Sequence, residues 1–282
     1  MRQGPVLVTD AVIEKMEAEG IGTGTGPNYK PAIEARKMSS RGRSRRAWSN
    51  KTMRKHELLS DVEHNLFLAL EWCPDVLDIR EQFPLKRSIT TAVAMALGIP
   101  HPYYPKTNVL TLMTVDFLVT RVRNGEQYLQ AYNAKRDEDS EDEESLARLE
   151  IMRTVFEESD IDHFLIYHSM IPAQEVENIG WIRLAMLDEH EQQLRPQFED
   201  HMARMTNDIA RPGPDLRLHE FCTAFDERHG LKKGTGLRTA RMLMETRALI
   251  PDLTSTALPK ERMSQFRLAA MPGQLRLVAG GK

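Results

Sequence analysis

Two carboxylates and one amine, Glu63, Asp116 and Lys135, stand where a charged side chain is out of keeping with its neighbours. Glu63 falls in a helical pattern, three to seven residues from Leu59, Leu66, Phe67 and Leu70, and so shares a face with apolar side chains. A carboxylate is costly there unless it is paired or bound to a cation. A local explanation competes, because Ser60-Asp61-Val62-Glu63 has the form of a capping box in which Glu63 reaches back to the backbone of Ser60. Asp116 alternates with Leu110, Leu112, Thr114 and Leu118 on one face of a strand-like run, although a strand end in solvent would excuse it. Lys135 shares a face with Gln127, Leu129, Ala131 and Asn133, and is either an edge charge or a neighbour of Asp116 across a hairpin. Together the three suit metal-dependent phosphodiester hydrolysis. Hard oxygen ligands hold a magnesium ion, the ion lowers the pKa of a bound water, and a cation orients the hydroxide or stabilises the transition state.

The elements that must position these groups read as an α/β core. Ser60 caps a helix running to about Trp72, with Val62, Leu66 and Leu70 at helical spacing. Val76 to Phe83 reads as a strand stopped near Pro84, and Val109 to Val119 as a second. Asn124-Gly125 signals a hairpin into a third strand, Gln127 to Lys135. A helix from Leu146 to Phe156 and a short buried strand from His163 to Tyr167 complete a mixed α/β layer arrangement. After Ile171-Pro172 the patterns turn helical. Leu216 to Asp226 and Leu237 to Thr246, joined through the turn Gly234 to Gly236, suggest a helix-turn-helix or winged-helix module. The expected domains are therefore 1–171 and 172–282. The segments Gly20 to Gly26 and Met271 to Lys282 read as flexible.

Charge is segregated along the chain. Nine basic and no acidic residues lie between Arg36 and Lys55, whereas Asp137 to Glu144 is almost wholly acidic and reads as a solvated loop or helix start. The basic stretch, with Arg41, Arg43, Arg45, Arg46, Lys51 and Arg54 as candidate contacts, could neutralise phosphates and place a duplex without reading its sequence. It could equally be a solvated arm. A net charge of −3 does not argue against nucleic acid, since distribution matters more than the sum. Cys73 and Cys222, the only two cysteines, have no ligand spacing, which argues against structural zinc and fits a reducing cytosol. The first 20 residues carry Asp10, Glu14 and Glu17 and do not form a signal peptide, and no apolar run approaches the ~20 residues of a membrane span. Neither Gly20 to Gly26 nor Lys232-Lys233-Gly234-Thr235-Gly236 has the order of a phosphate-binding loop.

Three blocks give the chain a wider likeness: Ser39-Ser40-Arg41-Gly42-Arg43-Ser44, Leu59 to Glu63 with Glu71-Trp72 and Val76 to Leu85, and Thr114 to Val119. In these blocks, and over nearly its whole length, the sequence resembles the TnsA family, the endonuclease subunit of Tn-seven-type heteromeric transposases. The resemblance implies a restriction-endonuclease-like mixed-sheet N-terminal domain and a mainly helical, winged-helix-like C-terminal domain. It implies a bacterial, cytoplasmic DNA endonuclease that cuts the 5′ ends of a mobile element at double-stranded DNA, while a separate transposase subunit cuts the 3′ ends. By motif, Glu63 and Asp116 would be ligands to one or two Mg2+ ions, with Mn2+ an acceptable substitute, and Lys135 the catalytic lysine. The family's third strand usually reads Gln-x-Lys. Here it is Asn133-Ala134-Lys135, which makes Asn133 a supporting polar group one methylene shorter. Thr235 to Arg241 could read DNA, but the resemblance favours contact of the C-terminal domain with a regulatory ATPase subunit. Two other readings remain open: a stand-alone restriction or repair nuclease, and a catalytically silent assembly factor bridging transposase and ATPase.

Overall fold

The computed structural model describes residues 7–32, 44–138, 143–188 and 190–269, and the chain divides into two compact units, 1–171 and 172–282. Unit 1 begins with α1 (Asp10–Ala18), capped by the Thr9 hydroxyl. A hairpin of β1 (Arg45–Ser49) and β2 (Arg54–Leu58) leads into α2 (Asp61–Trp72). Then follow β3 (Val76–Pro84), α3 (Arg87–Leu97), β4 (Thr114–Arg123), β5 (Glu126–Lys135), α4 (Glu143–Glu157) and β6 (Asp162–Tyr167).

The main sheet has the order β3-β4-β5-β6 and is mixed. Strands β3, β4 and β5 run antiparallel, and β6 is parallel to β5. The parallel step follows from the connection, because parallel neighbours need a crossover and α4 supplies it, packing back on β6. Asn124 and Gly125 both have positive φ, 53° and 86°, so a two-residue turn matches the twist of β4 and β5 and sets their register, Arg123 opposite Glu126. In β4 and β5, Leu118 pairs with Ala131, and both enter a core with Val93 and Ala94 of α3 and Leu149, Met152 and Phe156 of α4. Helix α2 lies against β3 and β5, burying Val62, Leu66, Phe67 and Leu70.

Three expectations need correction here. The strand read as Val109 to Val119 starts at Thr114, because Leu110 is drawn off to bridge Tyr103. Gly20 to Gly26 is a built loop, not a flexible one: Gly22 N–H donates to Lys30 O at 2.7 Å, and a Cβ on Gly22, at φ 78°, would lie 2.3 Å from Pro84. Within 44–58 the basic stretch is a hairpin, whereas Arg41, Arg43 and the last residues from 270 lie outside the described residues.

Unit 2 consists of α5 (Ala173–Arg183), α6 (Arg195–Ala210), α7 (Leu218–Arg228) and α8 (Thr235–Glu245), with a short antiparallel pair, β7 (Leu249–Ile250) and β8 (Arg267–Leu268). Helix α8 packs against the other three, and Ile182, Met205, Leu218, Phe225, Leu243 and Met244 are almost wholly buried. Asp226 of α7 accepts the N–H groups of Gly234 at 2.7 Å and Gly236 at 2.6 Å, closing the start of α8 with the protein's own carboxylate. Gly236 is obligatory at this approach, since a Cβ would stand 2.5 Å from Cys222 O. Among the described residues no helix is long and apolar enough to cross a membrane.

Candidate active site

The site lies where β4 and β5 part. Their ladder is paired as far as Phe117 with Tyr132, and the next residues are Asp116 and Asn133. Beyond that point the Ala134 N–H turns to the Asp116 side chain, donating to Oδ2 at 2.8 Å, and Asn133 Nδ2 donates to the same oxygen at 3.3 Å. A carboxylate has thus entered the ladder in place of a backbone carbonyl and has opened a fork between the strands. On the other side of β4, Gln82 of β3 lies level with Asp116, between the pairs Glu81–Phe117 and Phe83–Val115.

Glu63 comes to this fork from the first turn of α2. It is buried, and its two sequence readings coexist. Its N–H donates to Ser60 Oγ at 3.1 Å, while its carboxyl accepts from Ser60 Oγ at 3.0 Å and from Leu59 N–H at 2.9 Å. The return arm of the capping box lands on Leu59 rather than on Ser60. Gln82 Nε2 also donates to Glu63 Oε2 at 3.2 Å. Burial, and after it the nearby Asp116 charge, push the Glu63 carboxyl up to about 8 against the pull of these donors. Burial raises Asp116 likewise, opposed by hydrogen bonds from Ala134, Asn133 and Gln82 and by the charge of Lys135.

Lys135 lies at the end of β5, and its Nζ is buried without a hydrogen-bond partner among the described residues. An ammonium in that position is strongly under-satisfied. The structure therefore brings Glu63, Asp116, Asn133 and Lys135 together from α2, β4 and β5. It also adds two residues that the sequence reading passed over, Gln82 and His163.

Asn133 does not present its oxygen to the site. Its Nδ2 faces Asp116, so Oδ1 must accept, and it accepts from His163 Nε2 at 2.8 Å. His163 therefore carries its proton on Nε2. Burial, and then Arg153, pull its pKa down to about 4, so the ring is neutral at ordinary pH. The Asn-for-Gln departure is in this way a rigid relay from His163 through Asn133 to Asp116. A histidine on a strand register level with Ala131 gave no sequence signal of it.

The donor set fits a hard divalent cation. Burial raises both carboxyls and the Asp116 charge raises Glu63 further, a buried amine stands beside them, and neutral amides hold both acids in place. Among the described residues no group of three or more His, Cys, Asp or Glu side chains could hold a metal. Two carboxylates suffice for magnesium, which commonly takes one or two from protein and the rest from water and substrate phosphate.

The candidate phosphate contacts fare differently. Arg54 is buried, its Nη1 donating to Glu81 Oε1 at 2.7 Å and its Nη2 to Ile79 O at 2.8 Å, so its guanidinium is engaged within the core. Lys51 Nζ donates to Val76 O at 2.9 Å and to Cys73 O, tying the hairpin to the end of α2. Arg46 pairs with buried Glu57, and Arg45 with Asp61 at 2.9 Å, but both arginines are exposed enough to face a duplex. In unit 2, Arg238 grips Glu191 with both nitrogens, at 2.9 and 2.6 Å. Arg241 lies over the Trp181 ring, 4.7 Å from its centroid. Both of these α8 cations are engaged within the unit.

Comparison with known proteins agrees with this architecture. The family described as TnsA-like endonuclease N terminal matches residues 73–168, and the one described as TnsA endonuclease C terminal matches residues 171–253. The first match takes in Asp116, Asn133 and Lys135; Glu63 precedes it. The transposition protein TnsA of transposon Tn7 from Escherichia coli is 34% identical over 235 residues, 83% of either chain.

Proposed function

The chain belongs to the TnsA endonuclease family, and from that membership we propose that it hydrolyses phosphodiester bonds at the 5′ ends of a mobile element, using one or two magnesium ions held by Glu63 and Asp116. The observation that carries the reading is the convergence of Glu63, Asp116 and the unpartnered Lys135 amine at one strand fork. Held by these two carboxylates, such an ion would supply a water of lowered pKa and offset charge on the phosphate. The chain's own residues do the rest. Glu63 and Asp116 present oxygens from a helix start and a strand, both fixed by backbone donors. Lys135 directs its ammonium at the charge that builds on the reacting phosphate. Asn133, oriented by His163, keeps the Asp116 carboxyl from rotating.

On this reading the partners are double-stranded DNA at the element ends, a transposase subunit that cuts the 3′ strands, and a regulatory ATPase subunit. The exposed Arg45 and Arg46, with Arg41 and Arg43 beyond the described residues, are proposed to contact phosphates. Unit 2, whose described residues form four α-helices and a two-stranded pair, is read as a winged-helix-like partner-binding domain.

The test is magnesium-dependent end cleavage by the complex with its 3′-cutting partner. Lys135→Ala should lower the 5′-cleavage rate by on the order of 10²–10³-fold without weakening DNA binding to match. An unchanged rate would remove the lysine from the chemistry. Asn133→Ala, which removes one of the two donors to Asp116 Oδ2 and leaves the His163 N–H unpaired, should cost roughly 10–100-fold, as losses around metal ligands generally do. His163→Ala should reproduce part of that loss, and a normal rate in both variants would show the relay to be idle.

A further inference from the structure

We infer that Gln82 is a positioning residue that holds Glu63 and Asp116 side by side as a ligand pair before any ion binds. The inference deepens the nuclease reading and rests on it. Gln82 is almost fully buried, at 2% exposure, and its φ of 48° puts it in the left-handed region in the middle of an otherwise extended strand. Among the described residues the other non-glycine positions with positive φ, Met53, Asn108, Asn124, Asp160 and Arg247, lie outside the strands, in or beside turns. Gln82 is the one that lies within a strand. The strand resumes its pairing at Phe83 with Val115, so the backbone twist is confined to the level of Asp116.

The twist is fixed from both sides. Gln82 O accepts from Ala32 N–H at 3.2 Å, and the side-chain oxygen accepts from Thr114 Oγ1 at 3.3 Å. With the oxygen so engaged, the amide nitrogen has one orientation: it donates to Glu63 Oε2 at 3.2 Å and lies near enough to the Asp116 carboxyl to oppose the rise that burial imposes on it. One neutral donor thus stands between two acids that would otherwise repel. Left-handed backbone at a buried non-glycine is held only when its surroundings over-determine it, and such sites cluster where geometry serves function. A residue placed only for packing would need neither the twist nor a donor between the acids. The acids themselves need both, because an ion that must first gather its ligands binds more weakly than one that meets them assembled.

The experiment is calorimetric titration of the full chain with Mn2+ alone, for wild type, Gln82→Met, Gln82→Gly and Asp116→Ala, with a melting curve for each. Methionine keeps the volume and loses the amide; glycine relaxes the backbone and loses the amide. Both should bind Mn2+ about tenfold more weakly than wild type, and the Mg2+ concentration for half-maximal end cleavage should rise by the same factor. Glycine should do so even if methionine, strained at this φ, lowers the melting temperature. Wild-type affinity in the glycine variant would overturn the inference while leaving the nuclease reading intact. Should wild type and Asp116→Ala bind Mn2+ alike, the metal site itself is wrong and the inference falls with it.

Discussion

Glu63→Gln should abolish 5′-end cleavage and, in the absence of metal, make the protein more stable. The catalytic loss follows from removing one of two protein carboxylates around the proposed ion, and we expect at least ~10³-fold, about 4 kcal/mol of barrier. Asp116→Ala should match it, and unchanged cleavage by that variant in the assembled complex would establish a silent assembly factor instead. The stability gain follows from the pKa. Burial and Asp116 raise the folded-state carboxyl of Glu63 to about 8, above its ordinary value near 4.5. The folded state then holds a proton between those values that the unfolded chain has given up, so stability falls as pH rises through that window. At pH 8 in chelator, the neutral glutamine removes that penalty and can still serve in the capping box with Ser60. The variant should therefore melt above wild type at pH 8, with the gap closing toward pH 5. A variant that melts below wild type at pH 8 would mean that the carboxylate is not under strain.

What could be read in advance divides along a physical line. Elements whose cause is local were legible. The Ser60 cap and the spacing of Val62, Leu66 and Leu70 mark α2, and Asn124-Gly125 marks the turn from β4 to β5. Helix α3 was missed because its start has no side-chain cap at Lys86 and because Ser88 to Pro105 contains no Asp, Glu, Lys or Arg, so no charge marks its solvent face. The β1–β2 hairpin was hidden by its own charge, since the groups that satisfy Arg54 and Lys51, Glu81 and the carbonyls of Cys73 and Val76, lie more than 20 residues away. At the candidate site, type and spacing pointed to the charged side chains. The neutral residues that orient them, Gln82 and His163, carry no such mark: a backbone twist and a neutral ring emerge only from tertiary packing. Asn133 makes the same point. Its shortened amide looked like a weakened ligand, and its use depends on His163, 30 residues on.

Arg54→Met should unfold unit 1 far more readily than any surface change in the basic stretch, because the guanidinium is half of a buried ion pair. Glu81 has no exposed surface. It takes Arg54 Nη1 at 2.7 Å, His56 Nδ1 at 2.8 Å and Glu57 N–H at 3.1 Å, while His56 is braced by Thr52 Oγ1 at 2.8 Å. Burial alone would push the Glu81 carboxyl up, but His56 and Arg54 outweigh it and hold it at about 2. Removing the arginine leaves a carboxylate in a dry core with half its partners, a change that costs about 3–5 kcal/mol. For a unit of this size that is roughly 10–15 °C in melting temperature. Converting both residues, Arg54→Met with Glu81→Leu, should recover much of the loss, since an apolar pair has no charge to strand. The depressed carboxyl also sets a sign with pH. Its contribution is complete above the unfolded value near 4.5 and is lost as pH falls toward 2, so the gap between wild type and Arg54→Met should narrow in acid. Were Arg54 a phosphate contact, the outcome would be reversed: stability would hold, and the salt dependence of DNA binding would lose about one unit of slope. The two outcomes cannot be confused, and the position of Arg54 between Glu81 and the Tyr29 ring, 5.0 Å from its centroid, predicts the first.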